Sequence, residues 1–156
     1  MTLVSPNGSA ATLEASTRGV ELGLFGPNLE MQVSIGLDDN GPTVSLYGID
    51  KKLRATLSVD EVEPDLSLWD ADGKLRGQLS LDKAGPALSL WDTEGSLRAQ
   101  LGLDDQGPSL RFYNVGGDSQ VEVAATTDSA NIWLFPQSAG SKVMVDADAE
   151  SASVLV

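Results

Sequence analysis

The groups in this sequence best equipped for chemistry are carboxylates, and they recur in similar settings. Asp70-Ala71-Asp72-Gly73 and Asp38-Asp39-Asn40-Gly41 set paired acids beside a glycine. Asp104-Asp105 repeats the pairing, and Asp146-Ala147-Asp148-Ala149-Glu150 forms a further cluster. Paired carboxylates can supply oxygens to Ca²⁺ or act as acid and base on a glycosidic bond. Neither chemistry has its usual frame here. The Gly-Gly-x-Gly-x-Asp repeat of calcium-binding β-rolls is absent, and so is a complete EF-hand loop. Asp at the head of a turn has a simpler role, because its carboxylate accepts the backbone N–H two residues on. The chain holds no His and no Cys, which removes zinc sites, disulfides, thiol nucleophiles and imidazole acid–base catalysis. The expectation is a protein that is not an enzyme, with no metal site, no cofactor and no catalytic residue.

Two further columns stand out at a fixed spacing. Phe25, Tyr47, Trp69, Trp91, Tyr113 and Phe135 follow one another at an offset of 22 residues and take up most of the chain's aromatic residues. Flat rings bind sugars or a partner chain, so these six are the candidate binding or interface residues; self-stacking that pins strand register is the structural alternative. Arg54, Arg76 and Arg98, with Lys142 in register, form a basic column suited to pairing with nearby carboxylates.

The same offset organises the rest of the chain. Leu66-Ser67-Leu68-Trp69-Asp70 returns as Leu88-Ser89-Leu90-Trp91-Asp92. Leu13, Ile35, Leu57, Leu79 and Leu101 line up in another column. Alternation as in Leu88-Ser89-Leu90 and Leu97-Arg98-Ala99-Gln100-Leu101 has the period of a strand. Asp92-Thr93-Glu94-Gly95 and Asp82-Lys83-Ala84-Gly85-Pro86 read as the turns between strands. The whole of residues 1–156 reads as a single β-repeat domain. Its regular repeats run from about 20 to 114, with degenerate capping repeats at 1–19 and 115–156.

Straight alternation puts Leu97 and Leu101 on one face. A hairpin pairing Leu97 with Trp91 would then mix Leu88 and Leu90 with Arg98 and Gln100 on a single face. This favours an all-β solenoid of about seven 22-residue coils. In that fold the aromatic column would be an exposed ladder, and Asp38, Asp60, Asp82 and Asp104 would stack about 4.8 Å apart. The alternative is an antiparallel meander, for which one wall of a trimeric β-prism is one possible setting.

The pattern Leu-x-Leu-x-Asp-x-x-Gly-x-x-Arg, as in Leu88 to Arg98, resembles repeat segments of bacterial proteins that have no assigned activity. The resemblance covers the central units and implies no function.

A net charge of −13 argues against nucleic-acid or anionic-membrane partners. Met1 to Ala15 lacks the pattern of a signal peptide, and no apolar run is long enough for a spanning helix. Thr2-Leu3-Val4 and Val154-Leu155-Val156 are strand-like and carry no charge or proline to blunt an edge, which predicts end-to-end assembly or cover by a partner. The reading is a structural or assembly protein, a homo-oligomer forming a rigid rod, fibre or spacer. The alternative is a binding module or adhesin that takes a protein or glycan on the aromatic column.

Overall fold

The computed structural model describes residues 1–60, 63–135 and 143–156; Lys142, in register with the basic column, lies outside them. Fifteen strands are found among these residues. They are β1 (Thr2–Val4), β2 (Ala10–Ser16), β3 (Gly19–Phe25), β4 (Met31–Asp38), β5 (Gly41–Tyr47), β6 (Leu53–Asp60), β7 (Glu63–Trp69) and β8 (Leu75–Asp82). There follow β9 (Gly85–Trp91), β10 (Leu97–Asp104), β11 (Gly107–Tyr113), β12 (Ser119–Ala125), β13 (Ser129–Leu134), β14 (Val143–Asp148) and β15 (Ala152–Leu155). Strand order follows chain order, and every described pairing is antiparallel. The fold is an all-β antiparallel meander. The chain divides into two compact units, Met1–Arg76 and Gly77–Val156.

Two turns alternate along the repeat. In the longer one Gly95 N–H donates to the Asp92 carbonyl at 3.1 Å and Asp92 N–H to the Ser96 carbonyl at 3.0 Å. Gly95 sits at φ 87°, in the left-handed region that glycine tolerates best. In the tighter turn Asp82 pairs with Gly85, which leaves Lys83-Ala84 as a two-residue loop. The Asp82 carboxylate caps that loop by accepting the Ala84 N–H at 2.7 Å. Gly85 has φ 130°, and a Cβ there would stand 1.9 Å from the Leu103 carbonyl oxygen.

The solenoid expected from alternation is not formed, and one extra residue per repeat explains why. Leu97 does pair with Trp91, but the next partners are Ala99 with Leu90 and then Leu101 with Leu88. Arg98 is the extra residue of a β-bulge. An extra residue shifts the register by one, so that the side chains after it change faces. Leu97 therefore shares a face with Trp91, while Ala99 and Leu101 join Leu88 and Leu90 on the opposite one. The same irregularity recurs beside Phe25, Tyr47 and Tyr113. The bulge cleans up both faces of the meander, so no second, facing sheet is needed to sort them. The charge column changes as well. Equivalent turns such as those at Asp82 and Asp104 stand two strands apart, roughly 9–10 Å, instead of one.

Among the described residues of each unit, only strands adjacent in sequence touch one another. The sheet of each unit is therefore one layer thick. One face is apolar in three rows. In Gly77–Val156 the central row runs through Leu79, Leu88, Leu101 and Leu110 to Val123 and Ile132. In Met1–Arg76 it runs through Leu13, Leu22, Ile35, Val44, Leu57 and Leu66. Among the described residues no hydrophobic side chain is buried, and the buried polar ones are Ser45, Ser67, Ser89 and Asn131. That is the reverse of the usual arrangement of a folded domain.

Candidate functional site

The aromatic column lies on the polar face, as alternation requires, and its six residues are half-buried. The Phe25 ring lies against Gly23, where an added Cβ would come within 2.8 Å of Cε2. Residues two apart on a strand share a face. Ser45, Ser67 and Ser89, two residues before Tyr47, Trp69 and Trp91, are the buried serines of the same column. Across the bulge Phe25 faces Met31, Tyr47 faces Leu53 and Trp91 faces Leu97. These three rings thus each belong to a small apolar cluster on an otherwise polar face, whereas Tyr113 faces Ser119. Repeat-equivalent rings are two strands apart, so they do not stack on one another. Trp91→Ala is expected to lower stability by roughly 1–3 kcal/mol, less than the ~3–5 kcal/mol of a fully buried site, as measured by a urea midpoint at fixed protein concentration.

The acidic turns and the basic column meet. Asp70 Oδ1 accepts the N–H groups of Asp72 at 2.9 Å and Lys74 at 3.0 Å, while Oδ2 accepts Arg76 Nε at 2.6 Å. Asp92 repeats this with Glu94, Ser96 and, at 3.6 Å, Arg98. In the preceding repeat Gly48 stands where Asp70 would be, and Arg54 turns to Asp50 at 2.5 Å. These carboxylates direct their oxygens at their own turns and arginines. Among the described residues no group of three acidic side chains converges where a metal could sit.

The Ser96 N–H, helped by the Glu94 N–H and the Arg98 charge, holds the Asp92 carboxyl below its ordinary range. Asp70 is lowered in the same way, chiefly by the Lys74 N–H and then by Arg76. A depressed folded pKa contributes stability above the unfolded value of about 3.9, and that contribution is lost as pH falls through the folded value. Asp92→Asn is therefore expected to be less stable than the parent at neutral pH. The gap should close on acidification, which denaturation midpoints across a pH series will show.

The most extensive feature is the apolar face itself, which a solenoid would hold inside its coil. Leu57, Leu79 and Leu101, in the middle of their strands, are 50–52% exposed. The signal for it was present in the rows, which carry no charged residue. On β10–β14 the face forms a groove of about 480 Å³, floored by Leu101, Leu110, Val123, Ile132 and Val145.

Fold and surface together define a single-layer β-meander repeat protein with one polar and one apolar face. Compared with known proteins, the chain matches no family model and no curated protein.

Proposed function

We propose that this chain is a non-catalytic structural or assembly protein that works by self-association, as a rod, fibre or oligomeric spacer. The exposed apolar face carries this reading. The chain exposes 10448 Å², against about 7500 Å² for a folded monomer of this mass. Ten or more Leu-, Val- and Ile-sized side chains stand 37–67% exposed on each unit's face. We put that apolar area on the order of 800 Å² per unit, above the ~300–600 Å² patch of an ordinary monomer and equal to one partner's share of a standard interface. Covering it yields about 20 kcal/mol gross at 25 cal/mol/Å², enough to outweigh the cost of association. Use of the aromatic column as a glycan- or protein-binding strip has less support, because its rings are half-buried and repeat-equivalent ones stand two strands apart.

Solution mass and shape, by light scattering with small-angle scattering over a concentration series, test the proposal. A mass above that of the monomer at working concentrations is the expected result, and a monomer throughout would refute it. Salt adds a check. At −13 per chain, copies repel one another, and raising ionic strength from 0.1 to 1 M shortens the screening length from about 10 to 3 Å. Association should strengthen severalfold with salt, whereas association through ion pairs would weaken.

A further inference from the structure

We infer that the apolar face of each unit docks on its counterpart in a second copy turned about a twofold axis that crosses the strands. The acidic rim of tight turns then lies over the partner's lysine-bearing rim of longer turns. This rests on the self-association reading and specifies its interface. The area, one partner's share of a stable interface, calls for an occupant. The charges along the two rims say which way it lies.

Two copies of one sheet can face each other with strands aligned in two ways. A twofold along the strands sets each rim over the same rim. A twofold across them sets each rim over the opposite one, with every strand over its own counterpart. Both cover the same apolar face, so burial does not choose between them.

The rims are unlike. In Met1–Arg76 the tight turns carry Asp38, Asp39, Asp60 and Glu63 against Arg18. On the longer turns Asp50 and Asp70 are paired with Arg54 and Arg76. Beside these pairs stand Lys51, Lys52 and Lys74 against Glu30 and Asp72. A twofold along the strands stacks carboxylates on carboxylates and lysines on lysines, whereas the other axis stacks lysines on carboxylates. Tight and longer turns alternate, so each tight turn falls one strand to the side of a longer turn of the partner. With facing sheets about 10 Å and strands about 4.8 Å apart, the turn backbones are then roughly 11 Å from one another. A lysine and a carboxylate side chain together span that gap. Asp60 and Glu63 of one copy come between the Lys51-Lys52 turn and the Lys74 turn of the other.

In Gly77–Val156 both rims are acidic among the described residues, but unequally. Asp104, Asp105, Asp148 and Glu150 stand at tight turns, whereas Arg98 offsets Asp92 at a longer one. Setting the stronger rim over the weaker repels less than stacking each on itself. Charge of this kind fixes orientation, while apolar burial supplies the affinity.

The chain has no cysteine, so introduced thiols are unique. On β4 the axis sets Val33 of one copy over Leu37 of the other, and on β10 it sets Ala99 over Leu103. Val33→Cys copies are mixed with Leu37→Cys copies of different tagged length and treated with a thiol crosslinker that spans about 10 Å, the spacing of facing sheets. Ala99→Cys with Leu103→Cys is the second pair, in case either first substitution disturbs folding. Mixed-length products at least tenfold above same-variant ones are expected in both pairs. Same-variant products in excess, trimers by light scattering, or oligomers without crosslinks in either pair overturn the geometry and leave self-association standing. Monomers under the same conditions overturn both. The rims are tested with two exposed residues whose substitution changes net charge equally. At low ionic strength Lys51→Glu should weaken association about threefold more than Arg18→Glu, because it sets a carboxylate over the acidic rim of the other copy. Equal effects, or the reverse order that a twofold along the strands requires, overturn the inference.

Discussion

Leu101→Glu is expected to abolish assembly, whereas Gln100→Glu, one residue earlier on the same strand, leaves it intact. Leu101 stands at the centre of the apolar face, register partner to Leu88 on one side and Leu110 on the other. A carboxylate there would have to enter an apolar interface without a partner, at a cost of several kcal/mol, or the interface would stay open. At about 1.4 kcal/mol per tenfold change in an equilibrium constant, association should weaken by at least 100-fold. Gln100 points to the other face, where its side-chain amide donates to Ser89 Oγ at 3.3 Å, and its carboxylate counterpart stays in contact with water. Sedimentation of the two variants at matched concentration reads the difference directly. Equal loss in both would show that charge alone, and not the face, governs assembly.

The second large effect is local to the backbone. Gly85→Ala should lower stability by about 3 kcal/mol or more, because it adds a Cβ 1.9 Å from the Leu103 oxygen at a φ that few side-chain-bearing residues adopt. Gly95→Ala, in the longer turn, meets nothing within 4 Å and should cost only the ~1 kcal/mol of left-handed strain. The comparison is informative because both residues have positive φ and belong to the same unit. The column of Gly85 is not glycine throughout, since Glu63 and Ser129 stand in it. A Cβ added at Gly19, Gly41 or Gly107 in that column would meet an equivalent carbonyl oxygen at 1.9–2.1 Å, so the close approach recurs wherever glycine opens the strand. Urea midpoints at one protein concentration, which hold the assembly term fixed, should separate the two variants clearly.

Much of this architecture was legible in the sequence. Strand existence, both turn types and the apolar rows follow from the period-two pattern and the Asp…Gly spacing. The pairing of Arg76 with Asp70 and of Arg98 with Asp92 follows from their shared offset, while Arg54, with Gly48 in the Asp position, turns to Asp50 instead. The solenoid expectation rests on a parity count that runs straight through Leu97, Arg98 and Ala99. A bulge leaves no mark in such a stretch, because Leu-Arg-Ala-Gln-Leu alternates just as well without one. The extra residue shows only when the partner strand is known, and it decides the fold, since it moves Leu101 from Trp91's face to Leu88's. With facing sheets replaced by a single layer, the leucines assigned to a coil interior became an exposed surface. The aromatic column was placed correctly opposite the leucines. The facing of Phe25, Tyr47 and Trp91 onto Met31, Leu53 and Leu97 depends on the same unseen bulge.

The most direct test asks whether copies of this chain cover the apolar face. A Leu101→Cys variant and a Gln106→Cys variant, the latter in an exposed turn, would be treated with a thiol reagent across a dilution series. The account predicts that Cys at 101 reacts far more slowly than Cys at 106 at high protein concentration, and that the two rates converge on dilution. Equal rates at every concentration would contradict it.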